Sequence, residues 1–371
     1  MEKNRLLALQ CKPRMGSAQY ILTNQKGSVF MEKLKAAVVG AGILGSFHCR
    51  TFHEMYDVDL VAICDLNKAR AEKLAAEFGI PQVYTDHREM LAKSGADFVT
   101  IATPDHLHAQ VAIDTANAGM NFLVEKPFAT KREDIYNMRN AIERNNVRAM
   151  CDLHNRSSQP YAMAKAIIDS GRFGNVYNMY IRLNDNKSVA TDMLSWSASS
   201  SIMWFLGSHS LDLLSYLCGS RPKTVYSLSR KGILEKLGVN TVDIYQTSIE
   251  FENGVIAQME NGWIVPNGNT ALIDMKCNIT CERGAFNVNT SNSDMLQVLS
   301  EERTETPNCI ARPIINGRVE GFAPGNIANF VRGLIEDKPF NITVDEAADN
   351  CLAILSILES AEKRQALDVV Y

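Results

Sequence analysis

The hexapeptide Gly40-Ala41-Gly42-Ile43-Leu44-Gly45 follows a short apolar run at 36–40 and opens a helix-like stretch at 42–53. That setting restricts the fold more than any other feature of the chain. A glycine-rich turn between a buried strand and a helix is the phosphate-binding start of a βαβ unit. Gly40 permits the tight turn, Gly42 lets the backbone approach a pyrophosphate, and Gly45 allows the helix to pack closely on the strand. Ala41, Ile43 and Leu44 complete the expected cofactor loop. The free N–H groups and partial positive charge of the helix start favour an anion there.

The pattern continues for a hundred residues. Strands are expected at 36–40, 59–64, 97–102, 121–124 and 148–152. Helices are expected at 42–53, 68–78 with Gly79 as its cap, 86–93, 106–118 and 131–145. Strands alternating with helices at this spacing predict a doubly wound parallel sheet, an α/β Rossmann domain over 33–153. After about Leu153 the pattern changes to longer strand-like runs at 176–183, 224–229, 243–251, 255–261, 270–280 and 285–290. Helices are expected at 161–169, 202–218, 326–336 and 344–363. Glu252-Asn253-Gly254 marks a hairpin turn. The region 154–371 therefore reads as a second, α+β domain. A basic extension at 1–32 precedes Met31-Glu32-Lys33-Leu34-Lys35; it is expected to be disordered or the product of an upstream start.

Composition excludes several classes. A net charge of −4 with 22% charged residues gives no basic footprint for nucleic acid. No uncharged apolar stretch approaches the roughly 20 residues of a membrane span. Nine scattered cysteines, with no Cys-x-x-Cys, argue against a disulfide framework or zinc site and for a reducing, cytoplasmic setting. His106 and His108 lack an obvious third ligand, so no metal is expected.

Asp65 ends the second expected strand, where an acid takes the adenosine ribose hydroxyls and repels a 2′-phosphate. NAD is thus expected over NADP, with Lys68 nearby as a tempering charge. Thr103, Pro104 and His108 follow the third parallel strand, and loops at that end line the ligand crevice. Glu125-Lys126-Pro127 follows the next one, which brings Lys126 toward the nicotinamide end of the site.

With Ala37-Val38-Val39-Gly40-Ala41-Gly42, Ala102-Thr103-Pro104, Glu125-Lys126-Pro127, Asn155-Arg156, the stretch from Ser170 to Val176 and Gly207-Ser208-His209 with Asp212, the chain resembles the glucose–fructose oxidoreductase, inositol dehydrogenase and rhizopine-catabolism (Gfo/Idh/MocA) family. The resemblance runs from Lys33 onward. It implies a second domain with a large open, mainly antiparallel sheet that packs against another subunit, giving a homodimer or homotetramer. It implies oxidation of a ring hydroxyl, or reduction of a ketone, on a sugar, cyclitol or related polyol. Lys126 and His209 match the family's proton-transfer pair, and Glu125 with Pro127 would fix the lysine loop. Asp212 is expected either to orient His209 or to cap local backbone.

One position departs from the family. Inositol-dehydrogenase-like members carry Asp four residues before the histidine; here Phe205 stands there. A phenyl ring cannot polarise an imidazole, so either the pair suffices or Asp152, Asp185 or Asp192 reaches in. His154, Asp185 and Trp196 are candidate substrate contacts, with Trp196 and Trp204 as an apolar platform for a sugar face. The alternatives are an NAD-dependent glycosidase of the same fold and a non-catalytic nucleotide or sugar sensor.

Overall fold

The computed structural model describes residues 33–291 and 295–371, with the backbone of two short strands, Ile21–Thr23 and Val29–Met31, that pair antiparallel. Apart from those strands the expected extension at 1–32, with Cys11, lies outside the described residues.

The glycine turn joins β1 (Leu34–Val39) to α1 (Ile43–Glu54). Then follow β2 (Val58–Cys64), α2 (Lys68–Phe78), β3 (Gln82–Tyr84), α3 (His87–Lys93), β4 (Phe98–Ile101), α4 (His108–Asn117), β5 (Asn121–Val124), α5 (Arg132–Asn145) and β6 (Ala149–Cys151). All six strands are parallel, in the order β3-β2-β1-β4-β5-β6. This order reverses direction between β1 and β4, which opens a crevice at the carboxyl ends of both. Local signals set the boundaries. The Asn67 side chain accepts from Arg70 N, and Gly79 ends α2 in the left-handed region at φ 68°. The short edge strand β3 has no sequence signal of its own; its three residues are only half-buried.

The second domain begins with α6 (Gln159–Asp169) and β7 (Val176–Asn186). It continues through α7 (Ser208–Cys218), β8 (Pro222–Arg230), β9 (Ile244–Phe251), β10 (Ile256–Val265), β11 (Ile273–Cys281) and β12 (Gly284–Asn289). Helices α8 (Phe322–Glu336) and α9 (Val344–Lys363) and strand β13 (Leu367–Asp368) end the chain. The sheet order is β12-β11-β7-β10-β9-β8-β13, antiparallel except where β10 runs parallel to β7. Gly254 at φ 84° closes the expected β9–β10 hairpin. Alternation gives this sheet a buried face, with Met179, Ile181, Ile249, Met259, Cys277 and Ile279 turned toward the helices.

Two differences bear on the site. The helix expected at 202–218 is a π-helical turn, Met203–Gly207, running into α7 at Ser208. The helix expected from residue 106 starts as a 3-10 turn, Asp105–Leu107, after Pro104. The C-terminal helices also return to the first domain: Phe330 of α8 meets Phe98 of β4 with ring centroids 5.5 Å apart. The two halves of the chain therefore share one hydrophobic core. Every cysteine among the described residues is a free thiol. Among the described residues no helix is long and apolar enough to cross a membrane.

Candidate active site

The glycine loop has the shape that a pyrophosphate requires. Gly40 adopts φ 107°, and a Cβ there would lie 2.4 Å from the Ala102 carbonyl oxygen. A Cβ on Gly45 would lie 1.8 Å from the Gly40 oxygen, so the helix can sit this close to the strand only on glycine. Gly42 differs: an added Cβ would meet nothing within 4 Å. It faces open space at the amino end of α1, whose first turn has neither an acidic residue nor a side-chain cap. Asp65 stands beside this loop. Its carboxylate accepts from Ala41 N and from Asn67 N, both at 2.7 Å, and so fixes the turn while keeping a negative charge at its edge. Lys68 is turned to Glu72 at 3.3 Å. The donor set fits a dinucleotide diphosphate. Gly42→Ala is accordingly expected to change unfolding free energy by less than about 1 kcal/mol. It should weaken NAD binding at least about tenfold by calorimetry, because the methyl group occupies the space the diphosphate needs.

The next two loops are joined behind the crevice. His108 is buried, with Nδ1 2.7 Å from the Pro127 carbonyl and Nε2 2.9 Å from that of Thr103. Burial holds its pKa below the ordinary value, against the pull of those carbonyls. It ties the Thr103–Pro104 loop to the Glu125-Lys126-Pro127 loop. Glu125 is also turned inward, where Oε1 accepts from His48 Nε2 of α1 at 3.0 Å. His108 thus supports the cofactor crevice with both ring nitrogens engaged inside the protein, and Glu125 with one carboxylate oxygen engaged there. Asp105 is held from the second domain by the Ser200 hydroxyl.

Lys126 projects from this loop toward the second domain. Its Nζ donates to the Phe205 carbonyl at 2.7 Å and lies 4.2 Å from the centroid of the Phe205 ring. Burial lowers its pKa, opposed by Glu125, Asp105 and Asp185. Phe205 thus meets the lysine with both its carbonyl and its π face, an attraction that survives without a carboxylate at this position. The contact falls within the π-helical turn Met203–Gly207, and such turns are frequent at functional sites. Trp196 and Trp263 flank the ring at 6.2 and 5.8 Å between centroids. Trp196 is half-buried beside the crevice, whereas Trp204 is buried in the core.

Of the three acids considered as replacements at position 205, Asp185 of β7 is the one whose charge acts on Lys126. Burial pushes its carboxyl up to about 7, with Lys126 pulling the other way. Asp192 is exposed, and Asp152 lies deeper, beneath His154. His209 opens α7 and is 5% exposed. Burial, then the charges of His154 and Lys126, hold its imidazole well below the usual value, so it is neutral at neutral pH. Asp212 does not orient it. That carboxylate accepts from Arg156 Nε at 2.9 and 3.0 Å and from its terminal nitrogen at 2.6 Å. His154 packs on His209 with ring centroids 4.7 Å apart.

Sequence reasoning passed over His48 and Trp263. His48 lies three residues past Gly45, on the sheet-facing side of α1, and that spacing was its only signal. Trp263 extends the alternation of β10 and has none. Atoms of His48, Glu125 and Asp152 lie within 4.8 Å of one another, a spacing that could hold a metal ion. The direct His48–Glu125 hydrogen bond, however, takes the nitrogen that would have to coordinate.

Comparison with known proteins agrees with this architecture. Residues 34–153 match the model of an oxidoreductase family with an NAD-binding Rossmann fold, and residues 161–287 match the GFO/IDH/MocA C-terminal domain. The chain is 27% identical over 274 residues to scyllo-inositol 2-dehydrogenase (NAD(+)) of Bacillus subtilis, covering 72% of this chain and 77% of that one. It is 27% identical over 263 residues to levoglucosan dehydrogenase of Pseudarthrobacter phenanthrenivorans, covering 62% and 67%. The crystal structure of scyllo-inositol dehydrogenase from Lactobacillus casei, with bound NAD(H) and scyllo-inositol, shares the fold at a TM-score of 0.77 and 19% identity, covering 91% of this chain and 99% of that one. With both halves matched in order along one chain, this protein belongs to the Gfo/Idh/MocA family of NAD-binding oxidoreductases.

Proposed function

We propose that the protein is an NAD-dependent dehydrogenase that oxidises a ring hydroxyl of a sugar, cyclitol or related polyol, or reduces the matching ketone. The observation that carries this reading is that Lys126, at the carboxyl end of the parallel sheet, reaches across to the Phe205 carbonyl, four residues before the buried His209. Removing hydride from a secondary alcohol requires its hydroxyl proton to leave too, so a base must stand within hydrogen-bond reach of that oxygen. A buried neutral imidazole can take that proton. A lysine whose pKa is lowered by burial can hydrogen-bond the oxygen and stabilise its developing negative charge. NAD, when bound, supplies the hydride acceptor. Gly40, Ala41, Gly42, Ile43, Leu44 and Gly45 would hold its diphosphate, with Thr103 and Pro104 beside it. Asp65 favours NAD over NADP, since its fixed carboxylate opposes a 2′-phosphate and Lys68 is paired elsewhere.

Half-buried Trp196, with Phe205 behind it, offers an apolar wall against the C–H face of a ring, while Asp185 and His154 supply polar contacts at its rim. The related inositol and levoglucosan dehydrogenases support a cyclic polyol or anhydrosugar as substrate. The outer face of the second sheet exposes Tyr226, Leu228 and Ile256, which favours burial of that face in a homodimer or homotetramer. Free, mostly buried thiols suit the cytoplasm.

The test is a panel of inositols, aldoses, anhydrosugars and keto-sugars with both cofactors, read as reduced nicotinamide. At least one polyol should reduce NAD, with kcat/KM for NAD at least about tenfold above NADP. Glycoside cleavage with no net NADH would replace this reading with the glycosidase, and tight NAD binding without turnover on any member would replace it with the sensor.

A further inference from the structure

Behind the crevice, five titratable side chains from both halves of the chain lie in a row. His209 of α7 packs on His154, in the turn His154–Ser157 after β6. His154 Nδ1 lies 3.4 Å from Oδ2 of Asp152. The same oxygen is 4.0 Å from Nε2 of His48, which bonds Glu125 at 3.0 Å. The line thus begins at His209, one of the two groups proposed for proton transfer, and ends at Glu125, the residue before the other. Asp152 is held in place by Asn326 of α8, whose amide donates to Oδ1 at 2.7 Å. Its other oxygen is thereby left for the histidines.

Two features distinguish this line from ordinary core packing. Nδ1 of His209, Nδ1 of His154, Oδ2 of Asp152, Nδ1 of His48 and Oε2 of Glu125 are all buried without a hydrogen-bond partner. Buried polar atoms are ordinarily paired, so five along one path mark a site where structure alone does not account for the residues. The second feature is the gradient of exposure. The side chains of His48, Glu125 and Asp152 are 0–2% exposed, whereas that of His154 is 19% exposed. His154 is the member that reaches the opening.

We infer that His154, backed by Asp152, is the positioning residue through which His209 passes on the substrate's proton, a role for which position 205 supplies no carboxylate. The inference rests on the dehydrogenase reading. In the oxidation, NAD when bound would accept the hydride that leaves with the electron pair of the breaking C–H bond. The O–H proton moves to His209, and a C=O bond forms. His209 then hands the proton to His154, whose opening to the cleft returns it to solvent. The sum is alcohol and NAD giving ketone, NADH and one proton. In the reduction each step reverses. The groups that bear on His154 are Asp152 on its own segment and His209 from α7. Helix α8 presents Phe322 and Asn326, neither of them charged.

The test uses the full-length protein with His154→Ala, His154→Gln and His209→Asn. On a polyol found by the panel, His154→Ala and His154→Gln should each lower kcat by about 10²-fold near neutral pH. Free imidazole should restore much of that loss in His154→Ala but not in His209→Asn. The side-chain NMR signal of His209 should titrate at higher pH in His154→Gln than in wild type, because a neighbouring positive charge has been removed. Wild-type kcat and pH profile in both His154 variants, with His209→Asn inactive, would overturn the relay and leave the dehydrogenase reading intact. Full activity in His209→Asn would instead overturn the proton-transfer assignment on which it rests. If no polyol is turned over, the NMR titration decides: an unmoved His209 signal in His154→Gln sinks the relay.

Discussion

Lys126→Ala should lower turnover by about 10²–10⁴-fold while NAD affinity stays within a few-fold of wild type. The size follows from what surrounds the ammonium. Nζ is held at 2.7 Å by the Phe205 carbonyl and lies over the Phe205 ring, so it is fixed toward the second domain and away from the diphosphate loop. Its removal takes a positive charge from a buried site, where charge on a developing alkoxide is stabilised more strongly than in water. Lys126→Met, of similar length, should do no better, since shape is not what the site loses. Asp185 supplies a second readout. Burial pushes it up to about 7 and Lys126 opposes the rise. In the wild type Asp185 gains its charge as pH climbs through neutrality, and that charge supports the ammonium. Without Lys126 the Asp185 titration should move to higher pH, measurable by difference infrared spectroscopy of the carboxyl group. Turnover near the wild-type rate in Lys126→Ala, across pH 6 to 9, would remove the lysine from the mechanism.

The sequence disclosed most readily what is local and periodic. Gly40 and Gly45 answer to demands of the fold that no residue with a Cβ meets, and Gly42 leaves open the space a ligand would fill. The βα alternation came through from the short apolar runs of the central strands and from end signals such as Asn67 and Gly79, which bound α2. The π-helical turn at Met203–Gly207 was not legible, since nothing in its residues marks the wider turn apart from an α-helical one. Residue identity likewise could not show which partner a charge would choose. Asp212 lies three residues past His209, on the same helical face, yet it pairs with Arg156 from a segment 56 residues earlier. Asp152 and His154 are close in sequence, but the side chain that holds Asp152 is Asn326, 174 residues on. Contacts of that range are set by how the C-terminal helices return to the first domain, and no short window contains that information.

The Arg156–Asp212 pair also carries the largest expected effect on stability. Both groups are almost fully buried, 6% and 1% exposed. Burial opposes the charge on Arg156, but Asp212 and Glu346 more than offset it. Glu346 reaches it at 2.8 Å and the Asn341 carbonyl at 3.2 Å, so the guanidinium joins the segment after β6 to α7 and to the start of α9. Asp212→Ala leaves a buried cation short of its main partner, and its expected cost is about 3–5 kcal/mol in urea denaturation. Asp212→Asn keeps an acceptor without the charge and should cost less. The double variant Arg156→Met with Asp212→Leu removes both charges and fills the space. It should recover most of the loss, because desolvating the two ions cancels much of what their attraction returns. A double variant no more stable than Asp212→Ala would mean that the pair stabilises the fold outright. The consequence reaches the proton-transfer groups, since α7 carries His209 one turn before Asp212. Asp212→Ala should therefore reduce kcat even under conditions where the variant remains folded, whereas the well-packed double variant should keep His209 in place and retain most of its turnover.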